Sequence, residues 1–264
     1  MGADTYSNAA VIEFSNKHFV NVEIRTDKDG DTAQKFRVDA IPATFLLSPD
    51  GDRVSSWIGY VGPEDYTQGL GKAATAHKKL KEIEPKLKAS PDDLALNREA
   101  AELYEAMTDH RNAADFYRKL ASKAGEKKAK AEFLVKLLKQ LYNLEVDDAL
   151  NAGILEAAGQ LDALDGDGKL GVQDDAEMAR GMVAINREKF DDAISKFQGV
   201  ADRWPEGDKA PLALLWLGDL YHHAKKNNDK AEKLLKTLIE KYPKSEYAKD
   251  AKDFLEHMKR HRDK

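Results

Sequence analysis

The strongest constraint on this chain is a recurrence in its second half. Gly181, Ala193, Phe197 and Pro205 follow one another at spacings of 12, 4 and 8 residues. Gly218, Tyr221, Ala231, Leu235 and Pro243 repeat the order with one residue inserted in the Lys225–Asp229 turn. These equivalents lie 37 or 38 residues apart, near the period of about 34 at which a recurring unit reads as a pair of antiparallel helices with small residues where they cross. Such a unit buries its apolar face only against neighbouring units, so the architecture must be an array. Ala101, Tyr104, Ala113 and Tyr117 fit the same template upstream, whereas residues 130–160 have a helical pattern that fits it poorly. A generic helical bundle also places Ala and Leu at helical spacing. The Trp204-Pro205 and Tyr242-Pro243 endings at nearly matching positions favour the repeat.

The two proline-terminated units resemble tetratricopeptide repeats. That resemblance implies an α-helical solenoid presenting a face to a peptide or protein partner. Residues 246–258, with a charged outer face, read as the closing helix that a solenoid end needs. No ligand-specific pattern is visible on either helix set, so the partner's identity stays open.

The first sixty residues have a different texture: short β-branched and aromatic runs broken by Asp-Gly and Pro. Residues 8–18 are expected to form a helix with Val11, Ile12 and Phe14 inward. The alternation from Phe19 to Ile24 predicts a strand with one buried face. Asp27–Asp31 forms a turn cluster suited to cap a helix over 32–37. A strand over 43–47, the turn Pro49-Asp50-Gly51-Asp52 and a return strand over 53–58 make a hairpin. Pro63 then opens a long helix over about 64–84.

Val38-Asp39-Ala40-Ile41-Pro42-Ala43-Thr44-Phe45, then Ser48-Pro49-Asp50-Gly51, then Ile58-Gly59-Tyr60-Val61 resemble the C-terminal part of a thioredoxin domain. The resemblance implies a cis bond at Pro42, with Ile41, Pro42 and Ala43 forming one side of a peptide groove. A trans turn proline before a strand is the plain alternative. The chain has no cysteine, so dithiol–disulfide chemistry is excluded for it as written. By resemblance, the family's Cys-x-x-Cys would lie just before Met1 and its central strand is missing too. The chain is therefore read either as a redox-inactive relic or as the truncated form of a thiol–disulfide oxidoreductase whose active site lies upstream of Met1.

The expected fold class is α/β plus all-α, a partial thioredoxin-like domain followed by an α-helical repeat solenoid. The expected organisation is 1–88 thioredoxin-like, 89–160 degenerate helical repeats, 161–175 an Asp/Gly-rich connection, and 176–264 tetratricopeptide-like repeats with a capping helix. The expected role is non-catalytic protein–protein binding.

Composition narrows the partners. A net charge of −5 against 42 Lys+Arg and 47 Asp+Glu makes no polyanion-binding field, so nucleic acid is not expected. No run approaches the roughly 20 apolar residues of a membrane helix. The start lacks a signal-peptide pattern, and Tyr6 stands where a myristoylated Gly2 would want Ser or Thr. As written the chain carries no address and is expected to be soluble and cytoplasmic, the extracytoplasmic alternative being open only for a longer parent. Oligomeric state is not legible.

Within 162–174, Asp162, Asp165, Asp167 and Asp174 resemble the ligands of a calcium loop, although Ala163 holds the first position and Asp174 is shorter than the usual Glu. The alternative is a solvated turn, and no other cofactor is expected. His222-His223 sits at the turn end of a repeat helix, and His257 with His261 at i, i+4 shares one helix face, which zinc can use; no further ligand is identifiable, and solvated histidines are the plain alternative. Asp92-Asp93, Asp147-Asp148 and Asp191-Asp192 are accounted for by helix capping and the helix dipole.

Overall fold

A computed structural model describes residues 1–2, 4–38 and 40–262, with side chains described to 260 in the last helix. Asp39 and the side chain of His261 lie outside the described residues. The chain forms two compact units, Met1–Phe116 and Tyr117–Lys264.

In the first unit, α1 (Ala9–His18) begins where the Asn8 carboxamide oxygen accepts the amides of Ala10 and Val11 at 3.0 and 3.4 Å. α2 (Gly30–Lys35) is capped by Asp29, which accepts the Thr32 amide at 3.2 Å. β1 (Ala43–Leu47) and β2 (Arg53–Ile58) form an antiparallel hairpin in which Ala43 faces Ile58 and Phe45 faces Ser56. Its turn needs Gly51, at φ +86°, and is closed by the Ser48 amide donating to the Asp52 carbonyl at 2.8 Å. The Ile41–Pro42 peptide is cis, and the Pro42 carbonyl accepts the Gly59 amide at 2.8 Å.

α3 (Pro63–Ala89) buries Tyr66, Leu70, Ala73, Ala76, Leu80 and Ile83 along one stripe. α1 and the hairpin pack on α3, contributing Val11, Leu46 and Val54 to the same core. Gly69 lets the Trp57 indole lie against α3, where a Cβ would come within 3.2 Å of its Nε1. α4 (Leu94–Ala106) follows, started by the Asp93 carboxylate on the Leu96 amide at 3.0 Å. The division between the units falls within α5 (His110–Lys123).

Four sequence expectations change. No strand forms over residues 19–25, and Val20 is 93% exposed with Val22 and Ile24 also outward. A strand requires a ladder partner, and β1 pairs only with β2. The only sheet among the described residues is thus two-stranded, and a thioredoxin-like α/β sheet is not what the structure displays. Ile12 points out at 45% exposure while Val11 is buried. α3 also runs through Pro85 to Ala89, beyond the expected end near residue 84.

The second unit continues with α6 (Lys127–Leu141), α7 (Asp148–Leu164), α8 (Gln173–Asn186), α9 (Phe190–Arg203), α10 (Ala210–His223), α11 (Asn228–Lys241) and α12 (Tyr247–Arg262). From α6 onward each helix packs on the next, and α12 also reaches α10. Amphipathic helices bury their stripes this way without any sheet. Among the described residues no helix is long and apolar enough to cross a membrane.

Candidate binding site in the helical repeats

The repeat is built on two close approaches. A Cβ added to Gly181 would lie 2.3 Å from Cε1 of the fully buried Phe197, and one added to Gly218 would lie 2.7 Å from Leu235. The glycines are therefore required by the α8–α9 and α10–α11 crossings. Ala193 and Ala231, also fully buried, supply the second small position in each pair.

The turns repeat as well. After α8, the amides of Glu188 and Lys189 donate to the carbonyls of Ile185 and Ala184, both at 2.8 Å, with Glu188 at φ +57°. After α4, Thr108 and Asp109 donate to Glu105 and Tyr104 at 3.0 and 2.9 Å, with Thr108 at φ +56°. Both are Schellman caps. The longer α10–α11 turn places Lys226 at φ +54°.

The exits match too. Trp204 ends α9 at φ −127°, ψ 59°, and Tyr242 ends α11 at φ −127°, ψ 54°. The Tyr242 hydroxyl donates to the Pro205 carbonyl at 2.7 Å, tying the second exit to the first.

Charged groups concentrate at the α8 N-terminus. Asp174 and Asp175 occupy the first turn of α8 and are 4% and 8% exposed. Lys209 reaches Asp175 at 3.0 Å and Asp208 at 2.7 Å. Burial raises the Asp175 carboxyl to about 6 despite Lys209. Burial works against the Lys209 ammonium, but Asp175 and Asp208 together outweigh it and push it up to about 12. Burial, reinforced by Asp175, also holds the Tyr142 phenol above its ordinary range. One turn further, Glu177 receives Arg203 at 2.8 Å and Arg180 and Lys196 at 3.3 Å. Burial alone would raise the Glu177 carboxyl, but the Arg203 and Lys196 hydrogen bonds prevail and lower it. A cavity of about 340 Å³ opens beside this cluster, between the 171–174 segment and the Arg203–Gly207 loop.

The calcium candidates are not gathered. Asp165 is fully buried and its carboxylate accepts the Leu170 and Val172 amides at 2.7 and 3.0 Å. Asp162 pairs with Arg180, and Asp167 with Lys169 at 2.8 Å. Asp174 lines the cavity instead. Among the described residues no group of three or more His, Asp or Glu side chains could hold a metal ion. His222 meets Phe254 edge-on and His223 stacks on it, with ring centroids 5.5 and 5.8 Å away. Ile41, Pro42 and Ala43 sit together at the open end of the hairpin, with Ile41 73% exposed.

Asp175 and Lys209 escaped the sequence reading. Their pairing arises where successive helix pairs stack, Lys209 standing just before α10 and Asp175 in the first turn of α8, and no local pattern marks either residue.

Residues 178–246 match a family model described as "Tetratricopeptide repeat". The helical-repeat architecture of this region is the one that match describes. No curated protein matches the chain. Among solved structures, the crystal structure of MamA is similar at a TM-score of 0.45 and 22% identity, over 71% of this chain and 98% of that one. A second, YrrB, described as a TPR protein with an unusual peptide-binding site, has a TM-score of 0.45 and 18% identity, over 85% of this chain and 97% of that one.

Proposed function

We propose that this chain is a non-catalytic protein-binding module whose partner, a peptide or protein, docks on the repeats of residues 178–246. The observation that carries the reading is the recurrence of crossing, turn and exit geometry in α8–α11 within the stretch that matches the repeat family. Helix pairs of similar geometry create a regular surface whose cost in conformational freedom is met within the fold before a partner arrives. The absence of cysteine leaves no thiolate for redox work.

The finer reading is that residues 1–88 are a thioredoxin-like segment retaining one side of a groove at Ile41, Pro42 and Ala43. The order helix, Ile-Pro, hairpin, long helix supports it. The unpaired residues 19–25 are the part it leaves without a partner. The residues encoded before Met1 test its truncated-oxidoreductase form: a Cys-x-x-Cys there supports it, and none within a domain's length removes it.

The binding role is tested by placing a photo-crosslinking amino acid at exposed positions of α8–α11 in the source cells, with α7 positions as controls. One recurrent adduct concentrated on α8–α11 is expected. Adducts no more frequent there than on α7 would contradict the reading.

A further inference from the structure

The cavity beside α8 has a charge imbalance that its own side chains do not correct. Its lining includes Gly171, Asp174, Arg203, Trp204, Glu206 and Gly207. Asp174 is 96% buried, being 4% exposed. Its Oδ1 accepts the Asp175 amide at 3.0 Å. Its Oδ2 lies so close to Gly207 that a Cβ there would come within 2.7 Å. Among the described residues no cation reaches ion-pair distance of Asp174 or of the exposed Glu206. Lys209 acts on the Asp174 carboxyl through space but does not outweigh its burial; its ion pairs go to Asp175 and Asp208, and that of Arg203 to Glu177 at 2.8 Å. A buried carboxylate without a direct ion pair is costly, and an incoming cation in contact with it reduces that cost.

Trp204 adds a second recognition element. The Arg203 guanidinium carbon lies 4.6 Å from the Trp204 ring centroid and covers one face of the indole, while Trp204 also lines the cavity. The volume of about 340 Å³ falls at the low end of ordinary ligand clefts, about 300–1,000 Å³. It suits one long side chain better than a whole metabolite.

We propose that this cavity seats a basic side chain, a lysine ammonium or an arginine guanidinium, carried by the partner of the binding role proposed above, on which this inference rests. Asp174 supplies the buried charge, Glu206 the outer charge, and the Trp204 indole the wall against the aliphatic stem.

The test is a heteronuclear NMR titration of the full chain, following the Gly171 and Gly207 amides and the Trp204 indole. The probes are the capped tripeptides Gly-Lys-Gly and Gly-Arg-Gly, the neutral isostere with norleucine in the middle, and cadaverine. Saturable shifts are expected for the two basic peptides and not for the norleucine peptide. Asp174→Asn should weaken them about tenfold. Glu206→Gln, at an exposed position that does not threaten folding, should weaken them by a smaller factor. Equal shifts with the norleucine peptide, no saturation with either basic peptide, or affinity unchanged in both variants would overturn the site. Cadaverine binding as tightly as the lysine peptide would overturn the peptide source in favour of a free amine. A crosslinked partner that binds Asp174→Asn and Glu206→Gln as tightly as the parent would sink this site while leaving the binding role standing.

Discussion

Replacing Gly181 by Ala tests the helix crossing on which the repeat depends. In an ordinary helix interior the change stabilises by about 1 kcal/mol, because alanine loses less backbone freedom on folding. Here the added Cβ would sit 2.3 Å from Cε1 of Phe197 and 2.8 Å from its Cδ1 and Cζ. Phe197 is fully buried and stacks near Trp216 with centroids 6.3 Å apart, so its ring has no empty space to swing into. Overpacking a filled core costs about 1–3 kcal/mol, and three atoms under 3 Å argue for the upper end. The net expectation is a loss of about 2 kcal/mol, read from urea unfolding followed by circular dichroism at 222 nm. Gly159→Ala in α7, where nothing lies within 4 Å of the added carbon, should instead stabilise by about 0.5–1 kcal/mol. In the Phe197→Ala background the Gly181→Ala penalty should vanish, giving a coupling of opposite sign to the single effect. A Gly181→Ala protein as stable as its parent would refute the crossing argument.

Other outcomes follow from the same structure. Lys209→Met leaves Asp175 buried without its cation and should cost about 2–3 kcal/mol at pH 7, near the low end for a broken buried pair. Because burial raises Asp175 in the folded state, its contribution is present below its ordinary range and lost as pH rises towards about 6. The Lys209→Met penalty should therefore shrink below pH 5, and Asp175→Asn should flatten that part of the stability–pH curve. The Lys209 pairing, by contrast, should persist below about 10.5 and fade as pH climbs through about 12. Glu188→Gly should stabilise by about 1 kcal/mol, since the Schellman position at φ +57° penalises any side chain. Differential scanning calorimetry reads that change. Asp165→Ala strips the buried acceptor from two amides and should cost about 2 kcal/mol. Titrating calcium into the parent should give no saturable heat, and such a heat would restore the calcium-loop reading.

Local chemistry was legible wherever it was self-contained. The Asp50-Gly51 turn with β-branched flanks placed β1 and β2 at their observed bounds. Asn8, Asp29, Asp93 and Asp147 cap the helices they precede. The glycines, alanines and large residues spaced through 181–235 marked helix crossings because the crossing chemistry repeats. Residues 19–25 misled because alternation records what a strand would bury, and says nothing of whether a ladder partner exists. Ile12 misled in a similar way, since a helix periodicity of 3.6 residues leaves one residue of a Val-Ile pair outside a narrow stripe. At the cavity, Asp174 was visible only as an acid in a loop. Its burial depends on the Trp204–Gly207 loop folding back from the far end of the same helix pair, which no local window contains.

The most direct test of the binding role is hydrogen–deuterium exchange of the full chain, alone and with the partner recovered by crosslinking. Amides in α8–α11 and the Trp204–Gly207 loop should gain protection on binding, while α1 and the β1–β2 hairpin exchange as before. Protection confined to the first unit, or none anywhere at saturating partner, would contradict the account.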